Sequence, residues 1–198
     1  FRAWCGFGRT GKMFGFEHGG IVPDIVTMAK GLTSSYAPLG AMAVSDAIAA
    51  HFEDNVFWGE LTYNSHCLGL ATAEAVLDVL QDDGLVENSA RMGEVMRGHM
   101  ERMKERHPSV RGFRCIGLFG MIDLQRDRQG TRAVPYNEVS DGMKALARFF
   151  RENNFFTFVR WGSFMCNPPL CINEAQLAEA FEIIDRGLEI TDAAMDDA

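Results

Sequence analysis

Pro23-Asp24-Ile25-Val26-Thr27-Met28-Ala29-Lys30-Gly31-Leu32-Thr33 is the stretch on which the fold turns. A short apolar run, Ile25 to Ala29, lies between a Pro-Asp pair and a Lys-Gly pair, so turn signals bound it on both sides. The run does not alternate, which suits a strand covered on both faces of an α/β sheet. Gly40-Ala41-Met42-Ala43-Val44, preceded by Pro38, repeats the pattern. The chain up to about Leu61 therefore reads as strands and glycine-rich turns. By residue type alone, Lys30 at such a strand end is a solvated cation.

Outward from this region, helical spacing predicts one helix from Cys67 to Gln81 and another from Leu85 to Arg106. Met92, Met96, Met100 and Met103 recur along the second as a packing stripe. After His107-Pro108, Val110 to Leu124 reads as strands separated by glycines at turns or bulges. Asn137 to Asn153 places Val139, Met143, Leu146, Ala147 and Phe150 on one face, and Phe155 to Val159 is a β-type aromatic run. Asn173, with Gln176 three residues on, reads as the cap of a last helix striped by Leu177, Phe181, Ile184 and Leu188. The chain thus divides into an α/β portion with its connecting helix, residues 1–100, and a smaller α+β portion, residues 101–198.

Composition narrows the function classes. The 198 residues are 47% hydrophobic and 23% charged, the balance of a globular chain able to bury a core. Nineteen Lys and Arg face twenty-seven Asp and Glu, for a formal net charge of −8, so no global basic field exists to hold nucleic acid or anionic lipid. Neither nucleic acid nor membrane is an expected partner. No apolar run approaches the roughly 20 residues of a spanning helix, and Phe1-Arg2-Ala3-Trp4-Cys5 lacks a signal-peptide pattern. A cytoplasmic protein is expected. The five cysteines form no C-x-x-C pair and have no histidines at metal spacing, so reduced thiols and no metal site are expected. The sequence opens without methionine and enters a glycine-rich motif within five residues, which reads as a fragment of a longer protein.

That motif, Gly6-Phe7-Gly8-Arg9-Thr10-Gly11-Lys12-Met13, nearly satisfies the phosphate-cradling pattern G-x-x-x-x-G-K followed by Ser or Thr. Met13 cannot ligate magnesium, and no helix pattern comes after it. A glycine-rich turn with a structural role is the better reading.

Taken in order, Gly6-Phe7-Gly8-Arg9-Thr10-Gly11, Pro23-Asp24-Ile25, Ala29-Lys30-Gly31-Leu32-Thr33, Tyr36 with Pro38-Leu39-Gly40-Ala41, and Thr62-Tyr63 ahead of His66 resemble one family. It is the class III, pyridoxal-phosphate-dependent aminotransferases of fold type I. Pro168-Pro169-Leu170 before the capped helix resembles the family's closing signature. The resemblance implies part of the α/β large domain of a fold type I transferase, followed by a small α+β C-terminal domain.

It further implies that Lys30 carries pyridoxal 5'-phosphate as an internal aldimine and then serves as the base that moves a proton. A primary amine suits both tasks, because it condenses reversibly with an aldehyde and is free to act once displaced. Thr62 falls where the family places a hydroxyl on the cofactor phosphate of the neighbouring subunit, so a homodimer is expected. His66 reads as a helix-start residue, and Cys67 stands where the family often has proline. Arg160 falls where relatives place an arginine that grips a substrate carboxylate; the competing reading is a surface arginine covering Trp161. Arg111 and Arg114 read as surface residues of the small domain.

The family's aspartate for the pyridine nitrogen falls on Phe1, and its glycine-serine phosphate loop and stacking aromatic belong to a preceding half. The expected activity is transfer of an amino group from an ω-amino acid or amine donor to a keto-acid acceptor, pyruvate or 2-oxoglutarate. This chain alone is expected to be inactive. The aromatic-rich Phe155 to Phe164 region points to a compact donor. An aminomutase of the same fold, and a non-catalytic remnant or interaction module, remain alternatives.

Overall fold

A computed structural model describes residues 5–196. The readings attached to Phe1 and to Trp4 fall outside the described residues. Packing divides the chain between Glu87 and Asn88.

In the first unit, β1 (Ile25–Met28) and β2 (Ala41–Val44) form an antiparallel pair, registered from Ile25 opposite Val44 to Met28 opposite Ala41. Both runs are strands, as expected. Only Val26 is buried, while Ile25 and Met42 stay 43% and 52% exposed. Among the described residues, this sheet has two strands. A short helix α1 (Asp46–His51) follows Ser45. Helix α2 (Cys67–Asp82) starts from His66 and packs on the 3-10 turn Lys30–Thr33. Leu39 fills the space left by Gly69 on α2, where a Cβ would stand 3.3 Å from its Cδ1.

The second unit is built on four antiparallel strands in the order β3-β4-β6-β5: β3 (Val110–Ile116), β4 (Phe119–Leu124), β5 (Val159–Arg160) and β6 (Ser163–Cys166). Helices α3 (Leu85–Arg106), α4 (Asp141–Glu152) and α5 (Glu174–Ala193) accompany the sheet. Strict alternation sends Gly120, Ile122 and Leu124 of β4, and Phe164 and Cys166 of β6, inward. There they join Met96, Met100 and Met103 of α3, Leu146 and Phe150 of α4, and Leu177, Ile184 and Leu188 of α5 in one core. The methionine stripe thus belongs to this core, which is why the division falls ahead of residue 100.

Local signals explain the boundaries. Gly112 marks a register shift in β3, as a strand glycine suggests. Helix α4 begins at Asp141, later than its pattern, because Ser140 Oγ accepts from Met143 N–H at 3.3 Å and Asn137 upstream holds a φ of 66°. The aromatic run contributes only Val159 to the sheet; Phe155 instead packs on Phe150 with tilted rings, centroids 5.0 Å apart. Asn173 and Gln176 close the capping box of α5.

A buried polar clasp fastens α5 to the α3–β3 junction. His107 is 2% exposed, with Nδ1 2.6 Å from Asp192 and Nε2 3.0 Å from Asp185. The Ser109 N–H donates to Asp192 at 3.0 Å, and the Ser109 hydroxyl pairs with that of Thr191. Burial pushes the Cys115 thiol up to about 11, and burial raises the Cys166 thiol further. Among the described residues, no helix is long and apolar enough to cross a membrane.

The close approach of α3 to the β3–β4 turn gives a test. A Cβ on Gly93 would stand 2.5 Å from the Gly117 Cα, a backbone atom that cannot step aside. Gly93→Ala should therefore cost about 1–3 kcal/mol through overpacking. In urea unfolding, its midpoint should fall while the slope is unchanged.

Candidate functional site

Lys30 stands at the C-terminal end of β1 and opens the turn Lys30–Thr33. Its φ of 55° is left-handed, a conformation that costs a lysine roughly 1–3 kcal/mol and persists only where surroundings impose it. Ser34 and Ser35, just beyond the turn, hold φ values of 47° and 67°. Two packing features impose this path. Thr33, buried, donates its hydroxyl to the Ala37 carbonyl at 2.6 Å. Gly31 lies under the Phe7 ring, where a Cβ would come within 3.0 Å of Cδ2. The lysine side chain itself is exposed.

Phe7 brings the glycine-rich motif into this site. The segment folds back on itself through a bridge between Gly6 and Phe14 and a bond from Gly11 N–H to the Gly8 carbonyl at 2.9 Å. Phe7 meets Phe14 edge-on at 5.6 Å. The chain then enters a 3-10 turn, Gly15–Gly19, in place of the α-helix that a phosphate loop needs. The motif is a structural turn that supports the Lys30 backbone.

Thr62 opens the turn ahead of α2 in the same unit. The turn is closed by Asn64, whose N–H donates to the Leu61 carbonyl at 3.1 Å and whose amide donates to the Gly59 carbonyl at 3.2 Å. Ser65 then takes a φ of 57° into His66, the N-cap. Thr62 is exposed, and its hydroxyl has no hydrogen-bond partner among the described residues. Lys30 and Thr62 are linked through α2, which follows one and packs on the turn of the other.

Arg160 lies in the second unit, on β5, with its guanidinium 4.5 Å above Trp161 and 5.7 Å from the Phe158 ring. Trp161 also holds a left-handed φ, 52°, at the turn into β6, and Tyr136 packs on it at 4.6 Å. Arg160 does cover Trp161, yet it also borders a groove of about 680 Å³ on the outer face of the sheet. Arg111, Arg114 and Arg132 line the same groove. Arg114 pairs with Asp123 at 3.0 Å, and Asp123 also accepts the Ser163 hydroxyl at 2.7 Å. Sequence reasoning left Arg111 and Arg114 as plain surface residues and passed over Arg132. They are far apart along the chain, and only the sheet register gathers them.

The architecture has solved counterparts. A taurine:2-oxoglutarate aminotransferase from Bifidobacterium kashiwanohense, crystallised with PLP and glutamate, matches 98% of this chain and 44% of its own, at a TM-score of 0.91 and 32% identity. These likenesses place the chain among the mixed α/β, pyridoxal-phosphate-dependent transaminase folds. The family profile Aminotransferase class-III matches residues 3–188, and the chain belongs to that family, which works with pyridoxal phosphate. An uncharacterised aminotransferase of Schizosaccharomyces pombe is 34% identical over 96% of this chain. A taurine–pyruvate aminotransferase of Bilophila wadsworthia is 32% identical over 92%. The chain spans 42% of the length of each of these two relatives.

The strain at Lys30 is measurable. Glycine adopts a φ of 55° without penalty, although it loses more chain entropy on folding, whereas valine resists it. Lys30→Gly should match the wild-type unfolding free energy within about 1 kcal/mol, and Lys30→Val should fall below it by about 1–2 kcal/mol. Chemical denaturation of the three chains checks this order.

Proposed function

We propose that the protein to which this chain belongs transfers an amino group from an ω-amino acid or amine to pyruvate or 2-oxoglutarate, with Lys30 as the residue that holds pyridoxal phosphate. The observation that carries this reading is Lys30 itself: an exposed primary amine, set at a strand end on strained backbone that Thr33, Gly31 and Phe7 enforce. The residues present fit two needs of the cofactor, an amine for its aldehyde and a short hydroxyl donor for its phosphate. When bound, the cofactor supplies an aldehyde for the donor's amine and an electron sink for the donor's C–H bond electrons.

The chain's own residues then have separate tasks. Lys30 tethers the cofactor and, once displaced by the donor amine, carries a proton from the donor carbon at its Nζ. Thr62 Oγ1 donates to a phosphate oxygen in the site of a second copy, making the active protein a homodimer. Arg160 receives a substrate carboxylate through its two-pronged guanidinium, swinging from Trp161. The relatives named for taurine, pyruvate and 2-oxoglutarate support an amino donor of this class and a keto-acid acceptor. Free cysteines fit a cytoplasmic location.

The chain has four lysines, Lys12, Lys30, Lys104 and Lys144, so labelling decides the assignment. After incubation with pyridoxal phosphate and borohydride reduction, peptide mapping should place the pyridoxyl group on Lys30, and Lys30→Ala should abolish it. An even spread over the other lysines, or no label, rejects the proposal. Thr62→Val should weaken cofactor retention about tenfold, the worth of one hydrogen bond to a charged group. Without the remaining length of its relatives, the 198-residue chain should show no transaminase turnover.

A further inference from the structure

The outer face of the second unit's sheet carries more positive charge than one substrate carboxylate requires. A single row crosses the sheet, from Arg160 on β5 to Ser163 on β6, Asp123 on β4 and Gly112 on β3. In the middle of this row, Asp123 is satisfied by Arg114 and the Ser163 hydroxyl, so the centre is close to neutral. At the two ends the charge is not balanced. Among the described residues, no carboxylate lies within ion-pair distance of Arg160, Arg111 or Arg132, while all three line the groove.

The backbone explains how Arg111 and Arg132 come to share one end. The register shift between Val110 and Gly112 makes Arg111 the extra residue of a bulge, and bulges re-aim the side chain they insert. Val110 stays buried opposite Leu124, and Gly112 already stands opposite Asp123, so Arg111 is turned to the groove side. Arg132 returns to the same end of β4 through its bridge to Gln125 and the bond from Ala133 N–H to the Leu124 carbonyl. Arg160 enters from the opposite edge. Three strand spacings separate the two edges, roughly 14 Å of backbone, which arginine side chains reach across from both sides.

We propose that this groove binds a small dicarboxylate end to end, Arg160 taking one carboxylate and Arg111 with Arg132 the other, and that it selects a dicarboxylic over a monocarboxylic keto acid as acceptor. The selection rests on the acceptor role assigned under Proposed function; the binding does not. A three-carbon monocarboxylate can engage only one end, and it leaves the other arginines unpaired. Trp161 and Tyr136, packed on each other beside Arg160, give the groove an apolar wall for an acid's methylene carbons.

The test uses the full 198-residue chain without cofactor, so it does not depend on Lys30. In a Trp4→Phe, Trp58→Phe background, tryptophan emission reports Trp161 alone, which lies under the Arg160 guanidinium. Titration with 2-oxoglutarate or succinate should saturate at concentrations at least tenfold below pyruvate, with 2-oxoglutarate and succinate alike. Arg111→Gln and Arg132→Gln should each remove that advantage while leaving the pyruvate curve in place, and Arg132→Lys should retain part of it. Arg160→Gln should weaken all three acids. Equal curves for the two acid classes, indifference to Arg111 and Arg132, or no saturation with any acid overturns the proposal. If pyridoxyl labelling misses Lys30 while the dicarboxylate preference holds, the transaminase reading fails and the site stands.

Discussion

The two-sidedness of the β3-β4-β6-β5 sheet governs the rest of the second unit. Residues alternate strictly along β4 and β6, so every inward Ile122, Leu124 or Phe164 forces an outward Met121, Asp123 or Met165. The inward set joins residues of three helices in a continuous core. On the outward side the arginines and aromatics gather around a groove. A slip of one residue in β4 would exchange the two faces, burying Asp123 and exposing Ile122. The His107 clasp between Asp185 and Asp192 helps to hold α5, and so the inner layer, in place.

Strain marks both places where chemistry is proposed. Lys30 and Trp161 each hold a left-handed backbone, and each is fixed by a close approach at a neighbouring glycine: Phe7 over Gly31, and the Ala133–Val134 backbone beside Gly162. Such conformations cost free energy in an isolated turn and survive where packing dictates them. Their effect is to fix where a lysine and an arginine leave the backbone.

The two units differ in how well they bury themselves. The second has a core of large residues with almost no exposure. In the first, Tyr36 and Trp58 are each 85% exposed, and Leu61 and Tyr63 nearly as much. Within the described residues, the first unit's sheet is the two-stranded β1–β2 pair. The Thr62 turn sits within this apolar surface.

Sequence alone determined what depends on local periodicity and on chemistry carried by single residues. Helix α3 follows from its spacing, α5 from the Asn173–Gln176 capping box, and the β3–β4 pair from glycines between apolar runs, because each signal lies within a few residues of the element it specifies. The class III resemblance likewise rested on short motifs, Lys30 among them. Tertiary structure decided what depends on pairing between distant segments. It paired β1 with β2 in antiparallel register, drew the methionine helix into the second core, and placed Arg111, Arg132 and Arg160 around one groove. Strand register and bulge position set those outcomes, and they are settled by contacts between residues far apart in the chain, which no local pattern encodes.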